Sequence, residues 1–531
     1  VYGTDTTVNE ELVKRVNDSG KGKLCIHRNG AATQIRRYNT IEGFGLDHNL
    51  GVYNNSVDTI GRALTERYFY CADKVNGGFR DTITPIKRAF GKQHFEEFHN
   101  NVMANMPALP RLSHQQVVDR YTGSKRIVYG NAMISLSRCG IKRKDSHLKM
   151  FTKFEKQDLS KAPRGINPRD PRYNLELGRY LKHAEKPFFK AINVAFGAKT
   201  DHTVIKGLNA FESASVVRQK WDRFNNPVAV GLDAEKFDAH VTVQALKYEH
   251  SFYTSLFPGS KGLKELLSWQ LNNRGVAYSQ DGKVEFKIQG TRSSGDLNTS
   301  LGNCLIMCSS VYAYAKQRGV DIELCNNGDD CVVIMESDDL AKFQRGLQLW
   351  FQHRGFSMVA EPPVFEFEQI EFCQTKPVMV DGDWMLVRNH NAVLKKDPMC
   401  LIAIQNDKVY RKWLHAVGTC GTILNQGVPV QEAFYQAFLR NGTESTLAMR
   451  EHVFKGTSMM TRLNKVSTQR RITPAARVSY YYAFGILPDE QVQIEEMYNS
   501  SVILEWTKDA VSRDAVNLQP GLKLLDNEIS W

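Results

Sequence analysis

Nowhere in the 531 residues is there the run of about 18 apolar side chains that a helix needs to span a bilayer. The first residues, Val1 to Asp5, hold neither a basic nor an apolar signal region, so no secretory leader is expected. The chain also starts without Met, which points to a processed, trimmed or recoded-extension product. None of the ten cysteines forms a C-x-x-C pair. Their spacing fits neither a zinc site nor a secreted disulfide framework, which favours a reducing compartment. Internal repeats and low-complexity tracts are absent. With 42% hydrophobic and 24% charged residues, disorder, collagen and a disulfide-stapled miniprotein are excluded.

The length, at roughly 150 residues per domain, accommodates three or four units or one multi-lobed enzyme with a sizeable core. Lys plus Arg exceeds Asp plus Glu, 69 to 57, a net charge of +12 that favours a polyanionic partner. Half of that excess lies in Lys142 to Arg172, where ten basic residues face four acidic ones. Pro163, Pro168 and Pro171 forbid one continuous helix there, so the segment reads as an arm presenting cations. A second basic stretch, 452–488, has no acid and six cations: Lys455, Arg462, Lys465, Arg470, Arg471 and Arg477. Tyr480, Tyr481, Tyr482 and Phe484 follow. Cations beside aromatic faces suit single-stranded RNA, and a helix with a solvated face and a packed aromatic end explains the stretch equally well.

Residues 1–60 read as irregular and 61–160 as mostly helical. Val228 to Asp233 reads as a buried strand ending in an acid. Asn298 to Ala315 is a close-packing helix, and Ile322 to Met335 is strand, turn and strand, with Asn327-Gly328 as the hairpin signal. One amphipathic helix should follow, capped by Ser337, with Leu340, Phe343, Leu347, Trp350 and Phe351 on one face and Gly355 at its end. Residues 386–531 read as a mainly helical, separate lobe. The fold class is α+β with an antiparallel sheet.

Two adjacent acids at a hairpin turn, Asp329 and Asp330, repel each other unless a divalent cation intervenes. Asp233 ends a strand, and Asp238 opens the next element. If that strand lies beside the hairpin, Asp233 and Asp329 can hold two metals about 3.5–4 Å apart, the arrangement for in-line phosphoryl transfer. Between them in sequence, Gln289 to Asn303 is a Ser-Gly loop opening a helix. Thr299 and Asn303 share one face of that helix, and each can hydrogen-bond a sugar hydroxyl, although taken alone the Ser, Asp and Asn of this segment read first as ordinary capping residues.

Asp233-x4-Asp238, Ser294-Gly295-x3-Thr299-x3-Asn303 and Gly328-Asp329-Asp330, in that order, resemble motifs A, B and C of viral RNA-dependent RNA polymerases. The wording around Ser294 is similar to that of the tombusvirus family of positive-strand plant viruses, luteovirus- and dianthovirus-like members included. Lys153-Phe-Glu155-Lys156 with Lys161-Ala-Pro-Arg164-Gly-Ile166 resembles motif F, and Phe372-Cys373-Gln374-Thr375 resembles motif E. The resemblance is sharp over about 150–380.

It implies a right-hand polymerase: N-terminal extension and fingers with the motif F arm at 1–227, palm with motif A at 228–245, a fingers insertion at 246–285, palm with motifs B to E at 286–385, and thumb at 386–531. The implied function is replication of a positive-strand RNA genome by two-metal nucleotidyl transfer. Asp233, Asp329 and Asp330 would be the catalytic and metal-holding acids for two Mg2+ ions, with Mn2+ able to substitute. Asp238, Ser294, Thr299 and Asn303 would select the ribose. Lys153, Lys156, Lys161, Arg164 and Ile166 would line the nucleotide triphosphate site. Phe372, Cys373 and Gln374 would be the primer grip, and Arg470, Arg471 and Arg477 would contact template.

The implied partners are RNA template and nascent RNA, ribonucleoside triphosphates, a viral auxiliary replication protein, and host cytoplasmic membranes reached through a segment outside this chain. One departure concerns motif D, where many such polymerases carry a lysine that protonates pyrophosphate. Gly355 to Pro363 has none, and the next is Lys376. Two rivals remain. A reverse transcriptase is disfavoured by Asp238 and Asn303, because a deoxynucleotide enzyme blocks the 2′-hydroxyl with bulk. A non-catalytic viral RNA-binding protein explains the charge but not three motifs in polymerase order.

Overall fold

The apolar run at 228–233 forms the strand Pro227–Ala234, second from one edge of a four-stranded antiparallel sheet. Its neighbours are Asp330–Glu336 and Met358–Ala360, and Glu323–Asn327 completes the far edge. We describe a computed structural model covering residues 2–86, 90, 92–454, 469–506 and 522–524. Both faces of the sheet are covered. Val228, Val230 and Leu232 join the main core with the helix Thr299–Arg318. Ala229, Cys325, Val332 and Ile334 pack on the other side against Val217, Trp221 and Phe367. Burial on two faces is why the strand reads as continuously apolar rather than alternating.

The hairpin forms as expected, but its corner lies one residue later than the Asn-Gly signal. Asn327 pairs with Asp330, so Gly328 and Asp329 are the two loop residues. Gly328 takes φ +74° and Asp329 does not turn left-handed, the pattern of a turn with Gly at its first central position. Asp329 is therefore displayed at the tip, while Asp330 is the first residue of the returning strand.

The single amphipathic helix expected after the hairpin is broken. A short 3-10 turn, Ser337–Asp339, leads into Leu340–Gln344, and Gly346 at φ +73° separates that from Leu347–Gln352. The anticipated apolar face survives the break, since Phe343, Leu347, Trp350 and Phe351 are buried. Ser337 donates its hydroxyl to Asn226 O (2.7 Å) instead of capping.

The N-terminal segment is more ordered than its polar composition implied. It contains the helix Glu10–Asp18 and the strand Gly22–Arg28. That strand is the edge of a five-stranded sheet, next to Gly282–Gln289, Asn272–Ser279, Leu148–Thr152 and Gly165–Ile166. Residues 61–160 are less helical than expected: the helices Val57–Leu64, Lys92–Ala104 and Gly123–Arg138 are joined by long irregular and strand segments. As the prolines required, Lys142 to Arg172 is broken into short strands, with Pro171 opening the helix Pro171–Leu181.

The C-terminal helices do not stand apart. The strand Asp383–Arg388 runs across the expected boundary at 386. Met399 pairs with Thr40, and Ile41 and Phe44 enter the C-terminal core, Phe44 stacking on Phe434 at 5.2 Å. Isolated apolar residues in a polar segment carry no periodicity, so their distant partners leave no local trace. None of the ten cysteines is in a disulfide, and among the described residues no helix is long and apolar enough to cross a membrane.

Within this core His390 is 7% exposed, and its Nδ1 hydrogen-bonds the Tyr480 hydroxyl at 2.8 Å. Burial lowers its pKa to about 4. The unfolded chain, with an ordinary value near 6.5, binds the extra proton between these limits, so stability falls as pH drops through that window. The loss should approach about 3 kcal/mol by pH 4. His390→Gln should flatten this part of the pH dependence of the unfolding midpoint, and an unchanged slope would contradict the assignment.

Candidate active site

Three acids meet at one end of the four-stranded sheet. Leu232 pairs with Cys331, which sets Asp233 across from the start of the strand that Asp330 opens, and Asp329 lies at the adjoining tip. Asp233 and Asp329 are both solvent-accessible. The Asp329 carboxyl is raised above the ordinary range, first by crowding from the surrounding protein and further by the charge of Asp233, with Arg164 opposing. Asp330 is raised by burial and by both neighbouring acids, although the Cys373 N–H donates to its Oδ2 at 3.0 Å. Glu361 joins the cluster, raised by burial and then by Asp233, Glu371 and Asp330. The sequence reading missed it because it contacts the strand only through tertiary pairing, its N–H donating to Gly231 O (2.9 Å).

Asp238 and Asn303 are brought together: the Asn303 amide donates to Asp238 Oδ1 at 3.4 Å. Asp238 is pushed up to about 6, chiefly by burial and then by the charge of Asp329. Asn303 is oriented from behind by Arg292, whose Nε donates to its Oδ1 at 2.9 Å. Arg292 is fully buried and pairs with equally buried Glu249. Glu249 also accepts from Asn298 (2.6 Å) and Tyr253 (2.8 Å). Gly302 is required beside this pair, because a Cβ there would collide with both partners. The sequence reading did not single out Arg292 or Glu249. The only signal for either was a charge inside an otherwise apolar or polar-neutral stretch.

Ser294 is exposed, and its hydroxyl donates to Gly165 O at 3.3 Å. Thr299 opens its helix and donates to Ser293 O (2.9 Å). Gly295 bridges to Pro168, and a Cβ on it would meet the Asn167 carbonyl oxygen at 2.5 Å. The loop before the helix is thus packed backbone to backbone against the end of the basic arm. Deeper still, Arg169 pairs with Asp296 and donates to Asn273 Oδ1 (2.7 Å) and Ser146 O (2.6 Å).

On the arm itself, Lys161 and Arg164 are exposed and Ile166 sits in the strand Gly165–Ile166. Glu155 pairs with Lys153 (2.7 Å) and Arg164 (3.5 Å). Arg164 lies near enough to Asp329 and Asp238 to lower the pKa of each. Lys156 is placed differently. It donates to Lys396 O (2.6 Å) against the C-terminal helices, and burial lowers its pKa. Its ammonium is taken up inside the protein because the chain alternates direction along the extended arm.

Phe372 is buried, while Cys373 and Gln374 both adopt positive φ, +52° and +58°. Two non-glycine residues in this conformation mark a strained turn. It is tied to the acidic hairpin by Cys373 N to Asp330 and by Asn327 Nδ2 to Cys373 Sγ (3.3 Å). Of the C-terminal arginines, Arg477 forks onto Glu495 (3.0 and 2.8 Å). Arg470 donates to Val380 O (3.1 Å) and Asp383 (3.2 Å) and stacks on Phe211. Arg471 is exposed. Lys455, Arg462 and Lys465 lie outside the described residues. Tyr480 is core, whereas Tyr481 and Tyr482 are exposed.

Among the described residues no three His, Cys, Asp or Glu side chains form a ready metal-ligand set. Closely grouped carboxylates are nevertheless the oxygen-only donors that suit a hard divalent cation. Mg2+ in particular is often held by one or two carboxylates, with substrate phosphates and water completing the shell.

The RNA-directed RNA polymerase of tobacco necrosis virus (strain A) is 41% identical over 472 residues, 88% of this chain and 64% of that protein. That of Cymbidium ringspot virus is 40% identical over 476 residues, covering 88% and 56%. That of turnip crinkle virus is 36% identical over 509 residues, covering 93% and 64%. The chain therefore spans 56 to 64% of the length of these relatives. A family model for viral RNA dependent RNA polymerase matches residues 24–506, a span holding the acids, the Ser294-Gly295 loop, the arm and the strained turn alike. The chain belongs to the viral RNA dependent RNA polymerase family.

Proposed function

We propose that this chain is the polymerising part of an RNA-directed RNA polymerase that copies a positive-strand RNA virus genome. The observation that carries this reading is the meeting of Asp233, Asp329 and Asp330 beside the Asp238–Asn303 pair. The five-stranded sheet and arm correspond to fingers, the four-stranded sheet to palm and the C-terminal helices to thumb. Family membership supports a need for divalent metal. Asp233 and Asp329, with Asp330 beside them, would hold it, and Mg2+ is our choice. Bound there, such ions supply an activated 3′-hydroxyl and a stabilised leaving oxygen.

The protein's own groups do the rest. Asp238 and Asn303 read the 2′-hydroxyl through a fixed acceptor and donor. Lys161 and Arg164 hold the triphosphate, with Lys153 close by. Gly355 to Pro363 offers no lysine as proton donor, and Lys376 is occupied by Ala483 O (3.0 Å). RNA template, nascent RNA and ribonucleotides are the partners. An auxiliary viral protein and host cytoplasmic membranes are further partners in this reading.

Primer extension on an RNA template with ribo- and deoxynucleotides tests the reading. Ribonucleotide incorporation is expected. Deoxynucleotide synthesis would make it a reverse transcriptase, and RNA binding without extension would make it a binding protein. Asp238→Ala and Asn303→Ala should each narrow the ribo/deoxy preference, because an unpaired polar group is what penalises the missing hydroxyl. An unchanged ratio in both, in competition assays, would remove them from sugar selection.

A further inference from the structure

We propose that the turn Thr65–Phe69, in the N-terminal segment, sets the nucleotide site, with Arg67 positioning the basic arm and Tyr68 positioning the ribose-facing loop. This rests on the polymerase reading above. The turn is π-helical and continues directly from the helix Val57–Leu64. Such widened turns are rare and recur at functional sites. Three successive residues here each grip a different part of the site.

The Glu66 carbonyl accepts from Lys236 Nζ at 2.5 Å, and Lys236 stands between Asp233 and Asp238 at φ +45°. Arg67 Nε donates to Ala162 O (2.9 Å) and Pro163 O (3.0 Å), and its Nη2 donates to Ala162 O (2.5 Å). Those are the two residues before Arg164. The Tyr68 hydroxyl accepts from Asn167 Nδ2 at 2.8 Å, interacts with the Ser294 side chain and lies near the Asp238 carboxylate.

The arm has no regular helix to fix the direction of Arg164. Its side chain is 56% exposed, and its ion pair with Glu155 is long at 3.5 Å. The two clamped carbonyls just before it supply what a helix would otherwise provide. Arg67 commits Nε and Nη2 to the backbone just before Arg164, which makes it a positioning residue for the arm. Burial lowers the pKa of Arg67 and the nearby Arg164 lowers it further, with Tyr68, Glu155 and Glu66 opposing. Tyr68 is 8% exposed and bridges Asn167, on the arm, to the loop at Ser294. It thus holds two of the groups around the expected sugar in register with Asp238.

The two residues should therefore affect different kinetic parameters. Arg67→Ala should raise the nucleotide KM about tenfold or more while kcat and RNA affinity change much less, since misplacing a clamping group carries a cost of that order. Arg67→Lys, which keeps one donor, should recover part of the loss. Tyr68→Phe keeps the ring in the core and removes only the hydroxyl. It should lower the ribo/deoxy ratio severalfold with little change in KM.

A readout independent of activity is amide hydrogen exchange in the full chain. Exchange at 161–166 should quicken in Arg67→Ala and not in the helix Thr299–Arg318. The proposal is overturned if both Arg67→Ala and Tyr68→Phe lower kcat alone with KM and sugar ratio unchanged, or if exchange at 161–166 matches the parent. A parent chain that makes no RNA would sink the polymerase reading instead, and the exchange result would still decide whether Arg67 clamps the arm.

Discussion

Asp329→Asn should lower the rate of RNA chain extension by about a thousandfold or more, and Asp233→Asn should do the same. Either change keeps the side chain's shape and removes a charge that a divalent cation requires. Metal stabilisation of several kcal/mol at the transition state corresponds to a loss of that size. The structure adds a second expectation. The Asp329 carboxyl is raised by crowding from the surrounding protein and by Asp233, so in the metal-free protein its charge is unfavourable. Asp329→Asn should therefore unfold at the same temperature as the parent or higher, while losing synthesis. Asp330 already spends an oxygen on the Cys373 N–H, an acceptor role Asn can keep, so Asp330→Asn should lose less activity. Single-turnover extension with Mg2+ and thermal unfolding on the same samples separate these cases. Near-native synthesis in Asp329→Asn or Asp233→Asn would rule out the two-metal assignment.

Arg292→Met should be the most destabilising single change near the site. Arg292 and Glu249 are both 0% exposed, and the substitution strands a buried carboxylate. Breaking such a pair costs about 3–5 kcal/mol. Asn298 and Tyr253 still donate to Glu249, which places the expectation toward the lower end. The change also removes the Arg292 bond that orients Asn303. The double variant Arg292→Met/Glu249→Met separates the two consequences. With no charge left to bury, most of the stability should return, because replacing a whole buried pair by apolar groups is often neutral or better. Sugar discrimination should not return, since Asn303 has still lost its partner. If the double variant is as unstable as the single, the destabilisation is not electrostatic. If it regains full ribo/deoxy preference, Arg292 does not set Asn303.

These two predictions divide between what the chain announces locally and what it does not. The strand at 227–234, the hairpin with its acids at the tip and the helix carrying Asn303 were legible because each is dictated by neighbours in sequence. A continuous apolar run, a glycine able to take positive φ and a stretch rich in small residues each have one good local solution. The order Asp233, Asn303, Asp329 followed from these elements, and with it the acidic end of the sheet.

Other features depend on residues far apart in the chain. Arg292 meets Glu249 across 43 residues, Lys156 meets Lys396 across 240, and Phe44 stacks in a core built mainly from residues beyond 378. Periodicity reports that a side chain is buried but not what it is buried against. The helix expected after the hairpin failed for a related reason: its apolar face was read correctly, but the left-handed Gly346 breaks the backbone without disturbing that face.

The sequence by itself therefore determined which acids and amides are displayed, because turns and apolar runs are local. Only the tertiary structure decided how they are held, through Arg292 behind Asn303, Arg67 behind Arg164 and Cys373 against Asp330. A buried polar group takes whichever partner the packing brings within hydrogen-bonding distance, and that choice is made between segments rather than within one.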